Sequence, residues 1–251
     1  MINDLIIKPI GVVQSKFEQR YETPRQGVLA GKEISVVTLN PHNNFEQALK
    51  DLEGFERIWI IYLFHLSKNW KPLVTPPRHT RNKVGVFATR APYRPNQIGL
   101  SCVKLEKIDG LKIFISESDI LNGTPVIDIK PYLPYSDSFP DVSTGWAKTD
   151  LKNIHQIKIT KKAKGKASEL LRNRNINLIN YARVQLEFNP MDTTRKRISI
   201  IKTNLASVRA NINLFALAYR DLRIIYNVNA DKKTVRVKDI VSVDEFNFKS
   251  I

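Results

Sequence analysis

Along residues 5–132 the chain is a succession of strand-length apolar runs, cut by loops rich in proline and glycine, with one stretch of helical spacing. No other feature restricts the fold as much. The runs over residues 5–15, 31–39, 57–65, 84–89 and 98–108 are short and rich in β-branched residues, which suits a pleated surface. Residues 57–65 lack polar alternation, so that strand is expected to be buried on both faces. Residues 98–108 and 111–118 meet across Asp109-Gly110, a pair that signals a type I′ hairpin. Residues 125–132 are again extended. Only over residues 45–52 do apolar side chains (Phe45, Ala48, Leu49, Leu52) share a helical face. Prolines keep helix out of residues 67–82 and 90–96. There is no βαβ rhythm and no glycine-rich strand-to-helix turn, so the doubly wound sheet is excluded. The expected fold is mainly β: one antiparallel barrel or sandwich.

Residues 147–251 read differently. A β-like run over 155–160 leads into a basic cluster at 161–166 and a basic helix over 163–175. A hairpin pairs 221–229 with 234–243 across Ala230-Asp231-Lys232-Lys233. A boundary within 147–160 thus separates a mainly β domain, residues 1–150, from a small basic helix-and-hairpin α+β domain, residues 151–251. Charge divides the same way. The chain carries +16 overall, of which residues 1–146 hold +3 and residues 147–251 hold +13. Residues 57–105 contain nine basic residues and no acid. Such one-sided stretches suit a polyanionic or carboxylate partner, or serve only as a solvated basic face.

Several classes fall away. The longest apolar run, residues 58–64, is too short to span a bilayer. The start Met-Ile-Asn-Asp-Leu lacks the pattern of a signal peptide, so a cytoplasmic location is expected. Cys102 is the single cysteine, and the four histidines (His42, His65, His79, His155) show no metal-ligand spacing, so no metal site is expected. No nucleophile elbow or phosphate-cradling lysine loop is present.

The chemistry lies in loops. Residues 90–101 set Arg90, Arg94, Asn96 and Ser101 on proline-stiffened backbone, where little entropy is lost on closing around a ligand. The guanidinium fork matches carboxylate and phosphate. The alternative is a structural loop whose arginines face water. Asn122-Gly123-Thr124-Pro125 is either an ordinary turn or a close backbone approach to a ligand. Asp119, Asp128 and Lys130 flank it, as site residues or as a structural ion pair.

Four segments taken together are specific. Pro24-Arg25-Gln26, Gly85-Val86-Phe87-Ala88-Thr89-Arg90, Arg94-Pro95-Asn96-Gln97-Ile98-Gly99-Leu100-Ser101, and residues 119–132 with Asn122-Gly123-Thr124-Pro125 at their centre occur in this order. Over residues 6–146 the chain resembles the TsaA-like, TrmO family of tRNA methyltransferases. The resemblance implies a single antiparallel β-barrel, a homodimer with a composite site, and S-adenosylmethionine as methyl donor to N6 of threonylcarbamoyl-adenosine beside the tRNA anticodon. It implies a donor pocket of Pro24, Arg25, Gln26, His65, Leu66, Arg90, Leu100, Asn122, Gly123, Thr124 and Pro125. Asp119, Asp128 and Tyr132 are then candidate bases or orienters. Arg78, Arg81, Arg94 and Asn96 are candidates for reading the substrate's carboxylate. The chain departs from the family at Asn122, where Asp is usual, at Leu66, where Gln is common, and at Gln97, where Pro is frequent. The terminal hairpin around Tyr219-Arg220-Asp221-Leu222 is family-like, whereas an expected Asp-Pro-Arg-Pro type motif near Asn189-Pro190 is absent. The basic C-terminal part is expected to contact tRNA. Two other readings stay open: a barrel that binds RNA or S-adenosylmethionine without turnover, and a methyltransferase for another substrate.

Overall fold

The computed structural model describes residues 6–24, 26–76, 83–147, 154–194, 197–201 and 214–248. The chain divides into two compact units, Met1–Gly145 and Trp146–Ile251.

The first unit is a closed six-stranded antiparallel barrel. Its strands are β1 (Gly11–Gln14), β2 (Ser35–Leu39), β3 (Arg57–Leu63), β6 (Ile98–Asp109), β7 (Lys112–Ser116) and β8 (Thr124–Pro131), in the order β1-β2-β7-β6-β3-β8. Pairing of β8 back onto β1 closes it, with Gly11 opposite Val126. A separate two-stranded piece joins β4 (Leu73–Val74) to β5 (Val84–Gly85). The short helices are α1 (Phe45–Ala48) and α2 (Pro134–Asp137).

The core follows from strand alternation. In β3, Ile58, Ile60 and Tyr62 point inward and are buried, while Trp59, Ile61 and Leu63 are half-covered on the outer face. The expectation that this strand is buried on both faces is therefore corrected. Its outer residues are apolar, but nothing within the first unit covers them fully. Val13, Val37, Val103, Ile113, Ile115 and Val126 complete the interior. Burying each such side chain contributes about 1.5–3 kcal/mol.

β6 bends so that one strand serves two partners. Its first half pairs with β3, from Ile98 opposite Leu63 to Lys104 opposite Arg57, and its second half pairs with β7. The register shifts between Leu105 and Lys107, a bulge of the kind that turns a barrel corner. The hairpin turn comes one residue later than expected. Gly110 and Leu111 are central, and of the two only Gly110 has positive φ, +55°, which is the type II′ pattern rather than I′.

Other expectations shift similarly. The first strand is shorter, Gly11–Gln14. Residues 45–52 form one helical turn, and a 3₁₀ turn follows at Leu52–Gly54. Residues 84–89 form a two-residue bridge and a 3₁₀ turn, Val86–Ala88. The reason is Arg94, whose Nη1 donates to the carbonyls of Val86 (3.2 Å) and Thr89 (2.9 Å) and so folds that segment back on itself.

The second unit is a five-stranded sheet, β10-β11-β12-β13-β9, made of β9 (Gln156–Ile159), β10 (Ile198–Ile201), β11 (Leu214–Tyr219), β12 (Leu222–Asn229) and β13 (Thr234–Ser242). The helices are α3 (Lys161–Arg174), α4 (Leu178–Leu186) and α5 (Val243–Phe248). Thr160 Oγ1 accepts from the Ala163 N–H (3.3 Å) and starts α3, and Asn175 ends it in the left-handed region, φ +51°. The buried Ala163 and Ala167 let α3 pack closely on β13. Lys162 and Lys166 reach Asp239 of that strand at 2.6 and 2.8 Å. The terminal hairpin, β12 and β13, lies where the sequence places it. The unit also holds α4, β10 and β11, beyond the expected helix and hairpin.

Candidate active site

Where β3 ends and β6 and β8 begin, the barrel mouth opens into a cavity of about 550 Å³. Its floor is polar. Ser101 Oγ lies 2.6 Å from Asp119 Oδ1 and 3.1 Å from the Tyr62 hydroxyl. The Tyr62 ring can lie there because Gly99 stands opposite it in the ladder. A Cβ on Gly99 would come within 2.4 Å of the ring. Burial pushes the Asp119 carboxyl above the ordinary carboxylate range, while the Ser101 hydroxyl, its own backbone N–H and the Arg90 charge pull it back. Burial, with the neighbouring Asp119, also pushes the Tyr62 phenol well up. Among the described residues, no cation lies within ion-pair distance of Asp119.

The wall is mixed. His65, just beyond β3, has Nδ1 3.2 Å from Thr124 Oγ1. Burial and the Arg20 charge hold its imidazole below the usual value, so the ring is neutral at pH 7 and offers one donor and one acceptor. Arg90 reaches across to Gln26, with Nη1 donating to Oε1 at 3.2 Å. Pro24, Leu66, Leu100 and Ile98 supply apolar surface.

Of the residues singled out in the sequence, the cavity gathers Pro24, Gln26, His65, Leu66, Arg90, Leu100, Thr124, Arg94 and Asp119. Arg94 is largely committed to its own loop, lying 5.6 Å over the Phe87 ring as well as bonding Val86 and Thr89. Asn122, Gly123 and Pro125 adjoin the lining but are not part of it. Asn122 is spent on structure. Its Oδ1 accepts from the Ser15 N–H (3.1 Å), and its Nδ2 donates to Glu18 Oε1 (3.2 Å). Gly123, at φ +73°, makes the turn, and Pro125 takes the outer face because Thr124 takes the inner one. Asn96 is exposed beside the cavity. Asp128 and Tyr132 lie away from the mouth: Asp128 pairs with Lys130 at 2.8 Å on the outer face, and Tyr132 packs against Trp59. Eight residues of strand separate Tyr132 from Thr124, roughly 26 Å. Arg25, Arg78 and Arg81 lie outside the described residues. The floor partners Tyr62 and Ser101, and Arg20 on the wall, are additions. Ser101 stands in the motif already noted, whereas Tyr62 reads in sequence as one more strand aromatic.

The family model for the tRNA-methyltransferase O N-terminal domain matches residues 12–138, half of the chain and nearly the whole barrel. The chain belongs to this family. Among relatives of the TrmO family, the Escherichia coli protein named tRNA (adenine(37)-N6)-methyltransferase is 38% identical over 148 residues. That match covers 56% of this chain and 63% of the relative. A human protein of the same name is 40% identical over 154 residues, 60% of this chain and 35% of its own length. The chain therefore spans less than two thirds of these relatives. A crystal structure of TrmO from Pseudomonas aeruginosa superposes with a TM-score of 0.67 at 28% identity, covering 96% of this chain and 99% of that one. The likeness in structure extends through both units, whereas the family model ends within the barrel unit.

Proposed function

We propose that this chain is an S-adenosylmethionine-dependent methyltransferase acting on N6 of adenosine 37 in tRNA, with threonylcarbamoyl-adenosine as acceptor. The observation that carries the reading is the mouth cavity of a TrmO-family barrel, with a half-buried carboxylate on its floor and arginines on its rim. Its volume of about 550 Å³ lies in the range of small-molecule sites, about 300–1,000 Å³. Asp119 suits a ligand that brings its own positive charge, and Arg90 and Arg20 suit ligand carboxylates. The residues present thus fit S-adenosylmethionine. Pro24, Gln26, His65, Leu66, Arg90, Leu100 and Thr124 would hold it, with Asn122, Gly123 and Pro125 beside them, and Arg25 is proposed for the same set. When bound, the donor supplies an electrophilic methyl group on a sulfonium.

This chain's own contribution is alignment, exclusion of water and proton transfer. The acceptor nitrogen's lone pair is delocalised into purine and carbonyl, so loss of its proton makes it a better nucleophile. Asp119 is the acid of the sequence-derived set that lines the cavity, and it takes this role. Asp128 and Tyr132, on the outer face, are assigned structural roles. Arg94 and Asn96, with Arg78 and Arg81, are proposed to read the threonine carboxylate.

The excess of basic residues in 147–251 supports tRNA backbone contacts by the second unit. A second copy of the chain fits the exposed apolar residues at the mouth, where Leu66, Ile98 and Leu100 are 42%, 36% and 51% exposed. A cytoplasmic location fits a tRNA-modifying enzyme.

The test is incubation of purified protein with methyl-labelled donor and total tRNA, with or without the threonylcarbamoyl group. Label entering only the modified tRNA is the expected result. Donor binding without transfer would favour the non-catalytic barrel, and label entering unmodified tRNA would favour another substrate.

A further inference from the structure

Three polar side chains are joined by hydrogen bonds at the mouth end of a mostly apolar barrel interior. Tyr62 on β3, Ser101 on β6 and Asp119 after β7 come from three separate segments, so only the closed barrel brings them together. Tyr62 is 6% exposed and Ser101 7%. Burying the Tyr62 and Ser101 hydroxyls beside a half-buried carboxylate carries a cost unless each is satisfied, and here each satisfies the next. Ser101 has one proton, and it is directed to Asp119. Tyr62 must then be the donor to Ser101 whenever Asp119 is ionised. The chain thus has one polarity, running from phenol to hydroxyl to carboxylate, and it ends in the cavity.

We propose that Tyr62 and Ser101 are positioning residues for methyl transfer: their hydroxyl chain keeps Asp119 ionised and turned into the cavity, where it takes the proton lost by the acceptor nitrogen. This rests on the function proposed above. In the step, the nitrogen's electron pair forms the new N–C bond, and the S–C pair stays on sulfur. The N–H proton passes to the Asp119 carboxylate, which becomes the neutral acid. The charged and titratable groups that face Asp119 are Tyr62 from β3 and Arg90 from the loop before β6. Arg90 and the Ser101 hydroxyl favour the ionised form and burial opposes it, so the hydroxyl has a definite sign of effect.

The experiment follows unfolding by denaturant and methyl transfer across pH 4–9 for the full chain and for Ser101→Ala, Ser101→Thr, Tyr62→Phe and Asp119→Asn. Asp119 holds its proton more tightly folded than unfolded. Stability is therefore lost as pH rises from the ordinary carboxylate range to Asp119's own value, and this loss is absent in Asp119→Asn. Ser101→Ala is expected to deepen that loss and to move the acid limb of methyl transfer up by about 1–2 pH units. Donor KM measured above the acid limb, where Asp119 is ionised in parent and variant alike, should stay within about threefold, because the hydroxyl itself is assigned no donor contact. Tyr62→Phe should shift the limb less, and Ser101→Thr should restore both profiles. A Ser101→Ala protein with the pH profiles of the parent overturns the proposal, as does a Ser101→Thr protein indistinguishable from Ser101→Ala. A parent chain that shows the stability pattern but methylates no RNA overturns the function proposed above and the proton role with it, while the hold on Asp119 ionisation stands.

Discussion

Replacing Gly99 by alanine tests how the cavity floor is assembled. The added Cβ would fall 2.4 and 2.5 Å from Cε2 and Cζ of Tyr62, well inside van der Waals contact, so the ring must tilt away. Crowding of this kind in a packed core costs about 1–3 kcal/mol. Tilting also breaks the 3.1 Å contact between the phenol and Ser101. A buried hydroxyl left unsatisfied costs a further 1–3 kcal/mol or so. Partial relaxation makes the sum about 2–4 kcal/mol, which lowers the midpoint of a unit of this size by roughly 5–15 °C. Thermal and urea unfolding followed by tryptophan fluorescence would measure it. The companion is Tyr62→Leu, alone and with Gly99→Ala. If the ring is the obstacle, the second substitution costs much less when the first is present. A Gly99→Ala protein within about 0.5 kcal/mol of the parent, or strict additivity with Tyr62→Leu, would refute the reasoning.

Other expectations follow from the same structure. Arg90→Ala should weaken S-adenosylmethionine binding by roughly 10- to 100-fold, the loss of one charge-assisted hydrogen bond, and unchanged affinity by calorimetry removes Arg90 from the pocket. Asn122→Asp should cost about 1–2 kcal/mol at neutral pH, because it sets a carboxylate against Glu18 and loses a donor. Glu18→Gln should recover most of that loss, and a failed rescue shows that the pair is not the cause. In the second unit, burial pushes the Asp239 carboxyl up, but hydrogen bonds from Lys162, Lys166 and the Ile240 N–H outweigh it and hold it below the ordinary range. Its contribution is present above the unfolded carboxylate value and fades as pH falls through the folded one. Asp239→Ala should therefore cost about 1 kcal/mol at pH 7 and progressively less as pH falls below the ordinary carboxylate range, and a penalty that does not change with pH contradicts the ion-pair account. Affinity for tRNA should fall linearly in log–log terms with salt, and a flat dependence in filter binding argues against backbone contact.

The antiparallel strands could be read from the sequence because their cues are local, whereas the choice of barrel over sandwich came from the family resemblance. Strand-length runs, the turn at Gly110 and the prolines each act within a few residues. The departures arose where a distant group overrides the local pattern. Residues 84–89 look like a strand, but the guanidinium of Arg94 takes their carbonyls. The outer residues of β3 are apolar but only partly covered. Helix α4 leaves a weak trace in the sequence because Asn180 and Val184 are poor helix formers. It persists because Asn177 caps it, accepting from the Asn180 N–H at 3.1 Å, and Leu178, Tyr181 and Leu186 are buried. The site divides in the same manner. Motif residues on loops were visible as types, but motif membership does not say which way a side chain faces. Thr124 turns in where Pro125 turns out, and Asn122 is used up by Ser15 and Glu18. The partnership of Tyr62 with Ser101 depends on β3 pairing with β6 in a particular register, which no short window of sequence encodes.

That register has a consequence for how such a protein can change. β6 is gripped along one flank by β3 and along the other by β7, and its opening residues carry the floor of the mouth. A strand held by one partner along its first half and by another along its second has little slack, since slipping by a single residue would send Ser101 outward and unseat both sets of pairs. The rim is built from loops that can lengthen, shorten or swap side chains without disturbing that clamp. New acceptors or altered donor preference should therefore arise by remodelling the residues around Pro24, Leu66 and Arg90, over a basin that stays as it is.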